Sequence, residues 1–190
     1  GGFAVVWAQN DKVVQALATG STGTRAAAWS ETGWDIFGRL FNANGAALAG
    51  PIRLNTCVYG DQYGPSISAF GKEYLTVWTS LGQDRSWEGV FGQFLTGEGT
   101  LAGVEFQVNT SAVSRQVNPT VASDGLNRFL VNWSSFQIGS SFDLFARIYD
   151  LIRVEMTSTA QGLVLKWNTQ PVWSYEVLTS GDVIAWQNLG

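Results

Sequence analysis

The residues best suited to chemistry are acidic and aromatic side chains in the segments that follow tryptophan-containing strands. These segments carry the carboxylates Glu31, Asp35, Asp84, Glu88 and Asp143. Asp35, Asp84 and Glu88, together with Trp34 and Trp87, are the candidates for binding a glycan. Glycoside hydrolysis needs two carboxylates roughly 5–10 Å apart, and a tryptophan ring offers a sugar a large apolar face. Acids in exposed turns are usually solvated, so we predict no catalytic residue. For the two tryptophans we favour packing between neighbouring sheets, with glycan stacking as the alternative role.

Most other chemistry is excluded by composition. The chain has no histidine, which removes Ser-His-Asp and Cys-His catalysis and most zinc sites. No phosphate-binding glycine loop and no Asp-x-Asp pair occurs, so we predict neither a metal site nor a cofactor. The single cysteine, Cys57, is interpreted as a buried or half-buried small apolar residue. A net charge of −4 argues against a nucleic-acid surface, and no run is apolar enough to enter a membrane.

A strand, a polar loop and a proline occur twice along the chain. "PIRLNTCVYGDQYGPSIS" begins at Pro51 and "VEFQVNTSAVSRQVNPTVA" begins at Val104. The same spacing of 54 residues separates Asn55 from Asn109 (109 − 55) and Pro65 from Pro119 (119 − 65). It also separates Phe37, Phe91 and Phe145, and we align the strand-end tryptophans Trp29, Trp78 and Trp133 with them. Self-similarity at such a period is typical of repeat architectures.

The repeat divides the chain into similar units and a different C-terminal part. We place copies at about 13–56, 65–110 and 119–150, so that 1–150 is a tandem repeat region. Residues 151–190 form a C-terminal β module or a final sheet. In the two complete Asn-Thr junctions, we expect the Asn to satisfy backbone groups where a strand ends and the proline to begin the next strand.

The strands predict an all-β fold. They are short, rich in Val, Ile, Phe and Trp, and separated by turn formers such as Asn44-Gly45 and Asp124-Gly125. Large apolar groups occur on both faces of "WDIFGRLF" and "EYLTVWTS", which indicates sheets that are covered on both sides. Repeated four-stranded antiparallel sheets in a β-propeller-like arrangement fit this pattern, with a tandem β-sandwich or a linear β stack as the alternatives.

Three copies fall short of the four blades that a propeller normally has. We interpret "GGFAVVWAQN" at the start as a tryptophan strand without its partner. That strand could close the stack by pairing with the last sheet. An open segment, or packing against neighbouring chains, is the favoured alternative.

The pattern "F-x-V-N-T … P-x-V-A … F-L-V-x-W-S … F-x-x-R-x-Y-D" from Phe106 to Asp150 resembles tandem repeats of large secreted bacterial proteins. Residues 151–190 resemble the small C-terminal β modules that follow such repeats. The resemblance implies an extracellular or cell-surface location, and it implies no reaction.

Two functions follow from these observations. The favoured one is a non-catalytic extracellular repeat module that acts as a scaffold, an adhesin or a surface-assembly segment. Its expected partners are other copies of the repeat, neighbouring protein chains and surface glycans. The alternative is a propeller-type domain that binds or cleaves carbohydrate.

Overall fold

A computed structural model describes residues 2–10, 33–136, 141–151, 154–159, 162–167, 178–179 and 187–188. These residues form strands and connections, and no helix occurs among them, so none is available to span a membrane. The chain divides into two compact units, Gly1–Asp150 and Leu151–Gly190.

Unit 1 contains three antiparallel sheets in chain order. Sheet 1 consists of β1 (Phe3–Asn10), β2 (Trp34–Phe41) and β3 (Ile52–Arg53). Sheet 2 consists of β4 (Gln62–Phe70), β5 (Glu73–Leu81), β6 (Glu88–Thr96) and β7 (Leu101–Gln107). Sheet 3 consists of β8 (Gln116–Ser123), β9 (Arg128–Ser135) and β10 (Asp143–Asp150).

Unit 2 contains two antiparallel strand pairs. β11 (Val154–Thr159) pairs with β12 (Gly162–Trp167), and β13 (Leu178–Thr179) pairs with β14 (Gln187–Asn188). The prediction of an all-β chain with repeated, propeller-like antiparallel sheets is therefore confirmed. Sheet 2 has the expected four strands, and sheets 1 and 3 have three each in the described part of the chain.

The turns use the residues that their geometry demands. Gly45, Gly99 and Gly125 have φ of 79°, 83° and 74°. This left-handed region is open to glycine without strain, so the turn formers seen in the sequence end the strands where expected.

The structure corrects the alignment of the first tryptophan strand. Trp78 faces Phe91 across sheet 2, and Trp133 faces Phe145 across sheet 3. In sheet 1 the equivalent partner of Phe37 is Trp7. Trp29 lies outside the described residues, and "GGFAVVWAQN" is not a strand without a partner, because β1 pairs with β2 along its length. The self-closure hypothesis needed β1 as a spare strand and loses it.

The repeated prolines do not begin their strands. β4 and β8 begin three residues earlier, at Gln62 and Gln116, and each is interrupted by a β-bulge at the proline. The residue before the proline has a positive φ in both copies, 61° at Gly64 and 55° at Asn118. A proline is tolerated at a bulge because the hydrogen bonds between the two strands are already interrupted there, so its missing backbone N–H costs no hydrogen bond.

Sheets 1 and 2 pack face to face around one apolar core. Ile36 and Leu40 of β2, and Leu54, which directly follows β3, pack with Trp78, Phe91 and Leu95 of sheet 2. All six are at least nine-tenths buried. Each large apolar side chain so buried stabilises the fold by roughly 1.5–3 kcal/mol relative to exposure.

Sheets 2 and 3 also pack face to face. Phe94 meets the buried Phe129 edge-on, with ring centroids 6.0 Å apart. The backbone N–H of Val121 donates to Ser66 Oγ at 3.2 Å, which links the first strands of the two sheets. Face-to-face stacking of successive sheets, in chain order, is how propeller blades pack.

Candidate functional site

The connections that join successive sheets lie at one edge of unit 1. We call it the loop edge; it comprises the connections between sheets (54–61 and 108–115), the β5–β6 connection (82–87), and residues 33–34 and 141–142 at the starts of β2 and β10. Two backbone hydrogen bonds join neighbouring segments there, from Leu81 N to Asp61 O (2.9 Å) and from Phe136 N to Arg115 O (2.9 Å). The antiparallel pairing puts the ends of β5 and β7 and the starts of β4 and β6 at this edge.

Each sheet presents an exposed aromatic side chain at the loop edge. Trp34, Trp87 and Phe142 have 45%, 58% and 49% of their surface exposed. Trp34 and Phe142 are two repeat periods apart, and Trp87 directly precedes the equivalent position in sheet 2, which is Glu88. The two predicted tryptophans therefore lie at the surface rather than in the packing between sheets, and sequence reasoning missed Phe142, which the 54-residue spacing could have found.

Trp87 lies beside charged and hydrogen-bonding side chains. The guanidinium carbon of Arg115 lies 5.2 Å from its ring centroid, within cation–π range. Arg115 Nε lies 3.4 Å from Glu88 Oε2, and Tyr63 OH donates to Glu88 Oε1 at 3.5 Å. Arg115 comes from the connection between sheets 2 and 3, so the packing of two sheets sets the orientation of the ring. We call these four residues the Trp87 cluster.

The environment of Tyr63 keeps its hydroxyl protonated. Burial is the main reason that its pKa is raised above the usual 10.0, and the negative charge of Glu88 raises it further. A neutral tyrosine can donate to the Glu88 carboxylate, as the geometry shows. The cluster therefore contains one acid held between a cation and a hydroxyl donor.

Backbone conformation at the cluster is unusual. Arg85 and Ser114 have φ of 68° and 64°, and the described part of the chain has one other non-glycine residue with a positive φ, Asn118. The two loops are held together by a hydrogen bond from Ser86 Oγ to Ser114 O at 3.4 Å. Such conformations cost about 1–3 kcal/mol each and concentrate at ligand sites, which distinguishes this edge from the rest of unit 1.

Asp35, a predicted site residue, has a structural role. It is 5% exposed and accepts a hydrogen bond from Asn55 Nδ2. Arg53 Nη1 lies 3.9 Å from its second oxygen. A carboxylate so enclosed is unavailable to a glycan, so Asp35 does not belong to the exposed surface on which sequence reasoning placed it.

Asp84 is occupied within its own loop. Its Oδ1 accepts the backbone N–H of Ser86 at 3.0 Å, and its Oδ2 accepts from Gln107 Nε2 at 3.3 Å. The carboxylate covers Gly89, where an added Cβ would lie 2.7 Å from Oδ2. Gly89 is the repeat equivalent of Asp35, so sheets 1 and 2 both keep a carboxylate at this place, supplied from different positions in the chain.

The Asn-Thr junctions join one sheet to the next. Asn109 Oδ1 accepts the backbone N–H of Val90 at 2.7 Å, and its Nδ2 donates to Gln116 Oε1 at 3.1 Å. Asn55 makes the same bonds, to Ile36 N at 2.8 Å and to Gln62 at 3.1 Å. Both asparagines satisfy backbone groups, as predicted. The two glutamines were missed, although they too are 54 residues apart (116 − 62).

The three candidate carboxylates all have partners within the protein. Asp35, Asp84 and Glu88 are each engaged by neighbouring side chains or backbone N–H groups. Across the described ranges, no group of three or more Cys, Asp and Glu side chains could hold a metal ion. Cys57 is half-buried, as its interpretation required.

Comparisons with known proteins give weak similarities. No protein-family model matches the chain, and no curated protein matches it. A crystal structure of an alpha-L-arabinofuranosidase from Lactobacillus brevis is 11% identical, with a TM-score of 0.43, over 84% of this chain and 50% of that one. A thermostable family-43 glycoside hydrolase is 11% identical, with a TM-score of 0.36, over 74% of this chain and 50% of that one. The chain thus spans about half the length of these structures, and similarities of this size assign it no activity.

Proposed function

We propose that this chain is a non-catalytic extracellular or cell-surface repeat module that binds glycans along the loop edge. The observation that supports the proposal is the exposed aromatic side chain that each sheet presents there. Scaffolds, adhesins and surface-assembly segments are the kinds of protein in which such a module would act.

The chemistry of the loop edge suits sugars. A sugar ring has an apolar face that stacks on an aromatic ring, and polar edges that need hydrogen-bond partners. Trp87 supplies the ring, and Arg115, Glu88 and Tyr63 supply donors and an acceptor beside it. Because the ring orientation is already set by Arg115, little side-chain entropy would be lost on binding.

Recurrence of the aromatic residue favours an extended ligand. Trp34, Trp87 and Phe142 come from three successive sheets, so the edge offers similar surfaces at intervals. A polysaccharide also repeats, and its residues can occupy several such surfaces at once. Weak stacking at each surface is then multiplied by the effective concentration of the next.

The non-catalytic part of the proposal rests on the carboxylates. General acid–base hydrolysis needs one protonated carboxyl group and one free carboxylate on opposite sides of the bond. Asp35 is enclosed by Asn55 and Arg53, and Glu88 is held by Arg115 and Tyr63. A glycan on the exposed face of Trp87 would meet no pair of this kind among these residues.

A glycan array followed by calorimetry tests the proposal. We expect the intact chain to bind a subset of polysaccharides, and Trp87→Ala to weaken that binding at least tenfold, as loss of a stacking aromatic anchor does. Leu126→Ala is the matched control, because Leu126 is 72% exposed but lies in the β8–β9 turn, away from the loop edge. Its affinity should equal that of the unchanged chain.

Two results would count against the proposal. Absence of binding to any glycan, or equal losses in Trp87→Ala and Leu126→Ala, would remove the loop edge as the site. Release of reducing sugar that is abolished by Glu88→Gln would show that the module is catalytic.

A further inference from the structure

In the described part of unit 1, each of the two end sheets has an outward face on which no other sheet of unit 1 packs. In sheet 3, the outward face carries Leu130, Leu144 and Ile148, which are 42%, 75% and 55% exposed. We call it the open aliphatic face. In sheet 1, the outward face carries Phe3 and Val5, 47% and 43% exposed, and the half-buried rings of Trp7, Phe37 and Phe41. We call it the open aromatic face.

Repeat equivalence shows what normally covers an aliphatic face. Leu130 and Leu144 correspond to Leu75 and Val90 of sheet 2, since each pair lies at the same distance from the strand-end tryptophan or its partner phenylalanine. Both sheet 2 residues are fully buried. The face that they belong to is covered by sheet 3, where Phe94 beside them meets Phe129.

Repeat equivalence also shows what normally covers an aromatic face. Trp7 and Phe37 correspond to Trp78 and Phe91 of sheet 2, which are 0% and 6% exposed. Sheet 1 covers that face with its aliphatic residues Ile36 and Leu40. The chain therefore makes an equivalent contact twice: the face opposite the tryptophan in one sheet packs on the tryptophan-bearing face of the following sheet.

We infer that a second copy of this chain docks head to tail, with its open aromatic face on the open aliphatic face of the first. The contact would be the third instance of one that the molecule already makes between sheets 1 and 2 and between sheets 2 and 3. Stacked repeats need a polar cap to end in water, and both outward faces expose large apolar side chains, with Arg39 among them on sheet 1 and Asn132 on sheet 3. The interface joins two different surfaces, so it is heterologous, and one copy can donate each surface to a different neighbour.

Sedimentation velocity over a range of concentrations tests the contact in the full chain. We expect the unchanged chain to associate. Leu144→Arg and Val5→Arg should each weaken association by about 100-fold or more, because each would bury a charge in an apolar interface. Both residues are exposed in the single chain, so both variants should fold, and the circular dichroism spectrum checks this.

Leu126→Arg is the matched control. Leu126 is 72% exposed, close to the 75% of Leu144, and it lies in a turn outside both faces. The same substitution there should leave association unchanged. Loss of association in Leu126→Arg would show that added charge alone is responsible and would overturn the inference.

Mixing the two face variants tests the head-to-tail geometry. Leu144→Arg keeps an intact aromatic face, and Val5→Arg keeps an intact aliphatic face, so together they should form a one-to-one complex. Three outcomes would overturn the inference: an unchanged chain that stays monomeric, a single variant that associates normally by itself, or a mixture that stays monomeric while the unchanged chain associates.

Discussion

Sheets 2 and 3 share three equivalent strands and a similar residue pattern, yet equivalent residues on one face of each sheet differ in burial. Val90 and Leu75 of sheet 2 are fully buried, whereas Leu144 and Leu130 of sheet 3 are 75% and 42% exposed. Within the described part of unit 1, other sheets pack on both faces of sheet 2 but on one face of sheet 3. In a stack of repeats, the position of a sheet in the stack decides whether an apolar residue stabilises the fold or forms a surface.

The largest expected difference in the free energy of unfolding is between alanine variants of the tryptophans Trp78 and Trp7. Trp78 is fully buried between sheets 1 and 2, and its indole N–H has no partner in the described structure. Its loss is therefore a loss of packing, and Trp78→Ala should lower the free energy of unfolding by about 3–5 kcal/mol. Trp7 occupies the equivalent place on the open aromatic face and is half-buried, so Trp7→Ala should cost about 1–2 kcal/mol.

Urea unfolding of both variants, at concentrations where the chain is monomeric, measures the two losses. Equal losses would mean that Trp7 is as well packed as Trp78, and that the outward face of sheet 1 is covered.

Alanine substitution of the asparagine at the two Asn-Thr junctions should give a smaller difference in the free energy of unfolding. Asn109→Ala leaves the buried N–H of Val90 without its acceptor and Oε1 of Gln116 without its donor, which costs about 1–3 kcal/mol. Asn55→Ala breaks the equivalent bonds and also removes the amide that donates to the buried Asp35. Its cost should exceed that of Asn109→Ala by about 1 kcal/mol, as is usual for hydrogen bonds to charged groups.

A double-mutant cycle separates the two contributions. In an Asp35→Ala background, Asn55→Ala should cost the same as Asn109→Ala within about 0.5 kcal/mol. If Asn55→Ala costs less than Asn109→Ala in the unchanged chain, the contact with Asp35 does not stabilise the junction.

The smallest expected difference is in the alkaline titration of two half-buried tyrosines, Tyr63 and Tyr149. Burial raises the pKa of both Tyr63 and Tyr149, and the charge of Glu88 further raises the pKa of Tyr63 alone. A raised folded pKa gives stability that is present below about pH 10 and is lost as the pH rises through the folded pKa. Tyr63→Phe should therefore reduce the loss of stability above about pH 10.

Glu88→Gln provides the control for this titration. Glu88→Gln should lower the pKa of Tyr63 and leave that of Tyr149 unchanged. Ultraviolet absorbance measures both titrations, and comparison with Tyr63→Phe identifies the signal of Tyr63. A shift of both tyrosines would indicate that the substitution loosens the whole packing of sheets 2 and 3.

Much of the fold could be predicted from the sequence because turn formers and the 54-residue spacing are local signals. The β strands, the glycine turns and the role of Asn55 and Asn109 all followed from them. The alignment of Trp29 failed because Trp7 is separated from Phe37 by a longer segment than in the other copies. The spacing between two strands of one sheet can change with loop length, while the pairing across the sheet is kept.

The candidate site was harder to predict because exposure and pairing depend on other sheets. Trp34 and Trp87 were found from their residue type and place. Nothing local distinguishes Asp35, which is buried, from Glu88, which lies beside an exposed tryptophan. Tyr63 comes from β4 and Arg115 from the connection before β8, so their part in the Trp87 cluster becomes visible only when the sheets are packed.

The most direct test of the central claim compares Leu75→Ala with Leu130→Ala. The two leucines have the same type and equivalent places in β5 and β9, and they differ in whether another sheet covers them. In urea unfolding of the monomeric chain, we predict a loss of about 2–5 kcal/mol for Leu75→Ala and less than about 1 kcal/mol for Leu130→Ala. Equal losses at the two sites would contradict the claim that position in the stack, rather than the repeat pattern, determines what each residue does.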